Sequence, residues 1–153
     1  MSGAWDGQGW HGEQVQHGAR RLPEQWSIRL LYPRPPKGLS ANDRTHWSVK
    51  HANTQSIRHE VFTKVRAAKV PALERIRVEV IWWVRDHRRR DVDNVMPFAK
   101  AIYDGVASDR GVSARIVDDD TPHQFEKVMP RIEYLPGGDA HFEVRITDLG
   151  DAL

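Results

Sequence analysis

The stretch that most narrows the fold is "ERIRVEVIWWVRD", residues 74 to 86. Ile76, Val78, Val80, Trp82 and Val84 recur with the period of two that sends alternate side chains to opposite faces of a strand. Ile81 and Trp83 interrupt the polar face. This strand is therefore expected to be central in its sheet and covered on both sides near its end.

The neighbours of that strand are legible in turn. "QWSIRLLY" at 25 to 32 alternates Trp26, Ile28, Leu30 and Tyr32 as a half-buried strand, which "PRPPKG" stops because prolines cannot donate to a ladder. From His46 to Ala68, Trp47, Ile57, Val61, Val65 and Ala68 recur at helical steps, and Pro71 ends that region. A second helix follows Asp93, with Val95, Phe98, Ala99, Ile102 and Val106 on its face, Pro97 in its first turn and Gly105 or Gly111 as its exit. Ile116 and Val117 read as a short buried strand. "FEKVMPRIEY" at 125 to 134 and "HFEVRIT" at 141 to 147 read as strands joined by a hairpin loop, "LPGGD", with Pro130 arguing for a sheet edge or a bulge. The order β, α, β, α, β, β, without internal repeat, predicts a small single α/β (α+β) domain over 25–150: a mixed sheet with two main helices packed on it. Residues 1–24, rich in glycine, read as a flexible N-terminal arm that Trp5 and Trp10 could dock.

Composition excludes several functions. With 153 residues one core is expected, and with no cysteine there is no disulfide, thiolate nucleophile or cysteine zinc site. No apolar run reaches the roughly 20 residues a bilayer needs, and the first residues lack the pattern of a secretion signal. A cytoplasmic protein is the expectation. The 23 basic and 21 acidic residues nearly cancel, so position matters more than net charge. Arg85 and Arg88 to Arg90 form a basic knot suited to phosphate, directly beside the first acids.

Those acids define the chemical question. "RRRDVDNVMPFAKAIYDG", residues 88 to 105, sets Asp91 and Asp93 one residue apart at a helix start, with Lys100 about two turns on. Asp and Asn are favoured helix caps, so the acids could be structural. Alternatively they hold a divalent ion, since Mg²⁺ takes oxygen ligands from one or more carboxylates together with substrate phosphate. That role requires extended chain at Asp91 and Asp93, because within a helix their directions diverge by roughly 200°. "RIVDDDTP" at 115 to 122 offers a third ligand, and a cation would relieve the repulsion within Asp118 to Asp120. Lys100 would bind the scissile phosphate or stabilise transition-state charge, unless it is an ordinary exposed helix lysine.

"RRRDVDNVMPFAKAIYDGV" followed by "IVDDD" resembles the RusA-type Holliday-junction endonucleases of bacteria and their phages, in which a basic run leads into Asp-x-Asp-Asn, a lysine lies on the next helix and an Asp-Asp follows. "SANDRTHW" at 40 to 47, after the proline-rich "YPRPPKGLS", is similar to that family's early Ser-x-Asn stretch. The likeness runs from about Trp26 to Thr147. It implies Asp91, Asp93 and Asp119 as metal ligands, with Asp118 and Asp120 as alternatives to the last, and Lys100 as the catalytic lysine, one turn later than in the best-known member. It further implies DNA contacts from Arg88, Arg89, Arg90, Asn42 and Lys100, Mg²⁺ with Mn²⁺ able to substitute, and a small mixed α/β fold forming a homodimer that resolves four-way or other branched DNA by paired nicks. A two-fold junction needs two symmetric cuts, which a two-fold dimer supplies.

Two other readings compete. In one, the acids cap a helix and pair with the arginines, giving a branched-DNA-binding module without catalysis. In the other, Asp-x-Asp holds metal and a diphosphate as in nucleotide-sugar transferases, though 153 residues is short for such a fold.

Overall fold

The computed structural model describes residues 22–151. The expected arm at 1–24, including Trp5 and Trp10, falls almost wholly outside them. The described chain is a mixed α/β domain: β1 (Gln25–Leu30), α1 (Trp47–Ala67), β2 (Ile76–Val84), a 3₁₀ turn (Val92–Val95), α2 (Met96–Val106), β3 (Phe125–Lys127), β4 (Arg131–Tyr134) and β5 (His141–Asp148).

β2 is central, as its double-sided apolar pattern predicts. It pairs antiparallel with β5, which pairs antiparallel with β1, and its other edge takes β3 and β4 end to end, both parallel. The predicted strand over 125–134 is thus split at Pro130, a residue without an N–H to offer the ladder. Val128 N still donates to Val78 O across the gap, at 3.0 Å. The expected hairpin at "LPGGD" is not one: β4 and β5 flank β2 on opposite sides. A turn residue pattern fixes the reversal but not the pairing, and β2, the most apolar strand, takes the place between them.

The helices cover one face of the sheet. Phe98 of α2 meets Phe142 of β5 edge to face at 4.7 Å, and Trp82 stacks on Phe142 at 5.3 Å. Ile57, Val61 and Val65 of α1 and Phe98, Ala99, Ile102 and Val106 of α2 join Val78, Val80 and Val84 in one core. Gly105 is not a helix exit; it lies inside α2, where a Cβ would stand 2.8 Å from Val61 Cβ. The missing side chain lets the two helices approach closely.

Among the described residues the other face carries no helix layer, yet β2 is covered there near its end, as expected, by side chains. Here Ile81 is buried between Glu143 of β5 and Arg131 of β4, its partners in register. Arg131 bonds Glu79 at 2.8 Å, and Glu143 accepts from Ser27, Trp83 and Arg145. Long side chains lying along the sheet shield the apolar residue while their charged ends pair with one another, partly buried. Ile116 and Val117 are buried as predicted but belong to an irregular segment, which Ile116 N ties to Val106 O and Ile116 O to Leu73 N.

Candidate nucleic-acid and metal site

Beyond β2 the chain turns sharply, and Arg90 makes the turn. Its guanidinium donates to Asp86 Oδ1 at 2.8 Å, Asp86 O at 3.0 Å and Arg88 O at 3.1 Å, and lies 5.5 Å from the centre of the Trp82 ring. The Arg88 backbone N–H and then the Arg90 guanidinium hold the Asp86 carboxyl below its ordinary value. Arg90 is therefore committed within the molecule. Arg88 is exposed and only loosely paired, 3.5 Å from Asp86, and Arg89 forms no ion pair among the described residues.

Asp91 follows in extended conformation, φ −108° and ψ 119°, and caps the 3₁₀ turn through Oδ1, which accepts from Asp93 N at 3.0 Å. Asp93 lies inside that turn. The geometry demanded by shared metal ligation is thus half present: Asp91 is extended, but the chain has begun to coil at Asp93, where each residue rotates direction by about 120°. One Asp91 oxygen remains free of this bond. Pro97 sits in the first turn of α2, as expected.

A long-range contact brings two sequence motifs together. Ala41 N donates to Asn94 O at 3.0 Å, so the 40–43 stretch lies against 91–94. The 40–43 turn is closed by Asp43 N on Ser40 O and by Asp43 Oδ2, which accepts from Gly38 N. A cleft of about 410 Å³ opens there, lined among others by Arg34, Ser40, Asp43, Arg89, Asp91 and Asn94. A second cleft, of about 1020 Å³, shares the same wall, with Ala41, Met96 and Pro97 on its side. It holds Lys100 and Asp120, the member of the 118–120 run that lines one of these two clefts; Asp120 lies 3.9 Å from Lys127.

The predicted residues therefore divide. Arg89, Arg90 and Asp91 line the smaller cleft and Lys100 the larger; Asp93, Asp119 and Asn42 are exposed and line neither. Among the described residues, no three Asp, Glu or His side chains gather closely enough to hold an ion. The donors are oxygens, as Mg²⁺ prefers. Without a third carboxylate beside them, they would hold such an ion only together with a phosphate that supplies further oxygens, not as a cage built by protein alone.

Sequence reasoning missed Arg34, Lys50 and Lys127. It also misplaced Trp47, which is 72% exposed instead of on the buried face of α1. The signal was present: Lys50, His51 and Thr54, which follow Trp47 on its own helical face, are all polar. No protein-family model matches the chain, and no curated protein matches it in sequence.

Proposed function

We propose that the protein is a Mg²⁺-dependent endonuclease of the RusA type that cuts four-way or other branched DNA as a homodimer. The observation that carries this reading is the Ala41–Asn94 hydrogen bond, because it sets the Ser-x-Asn and Asp-x-Asp-Asn stretches side by side around one cleft. Arg34 and Arg89, without ion pairs among the described residues, would bind the phosphate backbone there, with exposed Arg88 beside them. Arg90 would position the loop instead. Asp91 and Asp93 would hold the ion together with phosphate oxygens, and a third carboxylate, Asp119 by family likeness or Asp120 from the adjoining larger cleft, would have to approach them when DNA binds. When bound, that ion lowers the pKa of a water and neutralises charge on the phosphate. Lys100 would hold a phosphate oxygen from the adjoining cleft.

A binding module without catalysis is the second reading, favoured by the Asp91 cap bond. Incubating a strand-labelled four-way junction and a matched duplex with the protein, in Mg²⁺ or in EDTA, separates the two. Paired, symmetric, Mg²⁺-dependent nicks in the junction alone are expected; selective binding with no product under Mg²⁺ or Mn²⁺ would favour the binding module.

A further inference from the structure

The larger cleft is underused by the cutting reaction, which calls only on its Lys100 and Asp120. Its apolar lining includes Leu39, Met96 and Met129, the last half exposed, and its charged lining is Lys50, Lys100 and Lys127 against Asp104 and Asp120. Asp120 lies against Lys127, while Lys50 and Lys100 form no ion pair among the described residues. A ligand that suits such walls has apolar plates and a negative backbone.

The helix that forms one wall also presents a largely exposed indole, that of Trp47. Trp47, Lys50, His51 and Thr54 fall at i, i+3, i+4 and i+7 of α1, hence on one face over about 10 Å of axis. Lys50 and Thr54 line the cleft, so Trp47 stands on the same face beyond them, 72% exposed. His46 lies 5.8 Å away at 34° and caps the helix through Nδ1, which steadies the start of that face. An exposed indole next to free lysines matches how proteins hold unpaired strands: bases stack on an aromatic ring while cations follow the phosphates.

We infer that Trp47 and the Lys50–Lys100 cleft bind a single-stranded DNA segment, with a base stacked on Trp47, phosphates on Lys50 and Lys100, and a neighbouring base against Met96 and Met129. As the unpaired strand beside a branch point, this segment deepens the endonuclease reading and rests on it for its biological setting. The binding itself stands or falls separately.

The test uses the full chain and a fluorescein-labelled 12-mer of thymidylate, by anisotropy at low salt, with junction cleavage measured in parallel. Trp47→Ala should weaken binding about 5- to 160-fold, the range for losing one base–aromatic stack, and Trp47→Phe should restore most of it. Lys50→Ala should weaken binding and flatten its salt dependence. Ultraviolet crosslinking of an iodouracil-substituted 12-mer should map to Trp47. Because Trp47 is exposed, its variants should keep the wild-type melting temperature. Undetectable 12-mer binding, equal affinity in Trp47→Ala, or crosslinks mapping elsewhere would overturn the inference. So would a Trp47→Ala chain that sediments as a smaller species than wild type, since Trp47 would then face a second copy. Binding through Trp47 without any junction cleavage would overturn the endonuclease reading alone; cleavage without 12-mer binding would overturn this inference alone.

Discussion

At the scale of single residues, neighbours of like charge divide the labour. Arg90 is spent on Asp86 and Trp82, whereas Arg89 faces a cleft. Arg90→Ala is therefore expected to lower stability by about 1–3 kcal/mol, through lost charged hydrogen bonds and lost packing on Trp82. Arg89→Ala should leave the melting temperature unchanged while weakening DNA binding and reducing its salt slope by about one. Thermal melts and salt titrations of both variants distinguish the roles. Asp91 also has two possible duties, since its Oδ1 caps the turn. Asn caps about as well as Asp, so Asp91→Asn should fold normally, and Asp91→Ala should lose about 1 kcal/mol. None of this division is visible in "RRRDVD" alone, where each arginine has the same chemistry; the turn after β2 decides which one points inward.

At the scale of elements, the sequence reported its helices and central strand well because each depends on local periodicity. Ile57, Val61 and Val65 are on the buried face of α1, and β2 has partners on both edges. What failed depended on long-range choice. The supposed hairpin strands separate around β2, and a helix ladder extended back to Trp47 overran the buried face. Gly105 read as punctuation, yet its lack of a side chain serves the contact with Val61 and with the Arg58 carbonyl, 3.1 Å from where a Cβ would lie. Gly105→Ala is expected to lower the melting temperature by up to about 4–8 °C, since overpacking at about 1–3 kcal/mol is only partly offset by the roughly 1 kcal/mol of helical preference gained. Tyr103 links α2 to the split edge by donating to Val128 O, and burial pushes its hydroxyl up to about 12, so it stays protonated throughout the useful pH range. Tyr103→Phe should cost about 1–3 kcal/mol in chemical denaturation by leaving that carbonyl unmatched.

At the scale of the whole molecule, one sheet face is a helix-covered core and the other a network of charges. Burial raises the Glu143 carboxyl, but hydrogen bonds from Ser27, Trp83 and Arg145 outweigh it and hold the group below its ordinary value of 4.5. Asp86 is likewise held below 3.8. Folded-state values below the unfolded ones mean that their stabilisation is complete above about pH 4.5 and is lost as pH falls through the folded values. The melting temperature should accordingly hold from neutral pH down to about 5 and drop below that, with Glu143→Gln showing a shallower drop. The two clefts lie outside this network, on either side of the wall that joins 39–43 to 94–97. In the sequence, "SAND" and "DVDN" could be matched to a family pattern, but their adjacency could not be read, because it rests on a backbone hydrogen bond between distant segments.

The central claim is that Asp91 and Asp93 serve metal-dependent cutting of branched DNA. It is tested most directly by comparing wild type with a clean Asp93→Asn preparation on a labelled four-way junction, at matched bound fraction, in Mg²⁺ and in EDTA. Paired nicks by wild type in Mg²⁺ alone, with none from Asp93→Asn despite equal or tighter junction binding, are the predicted result. Full Mg²⁺-dependent cleavage by Asp93→Asn would contradict it.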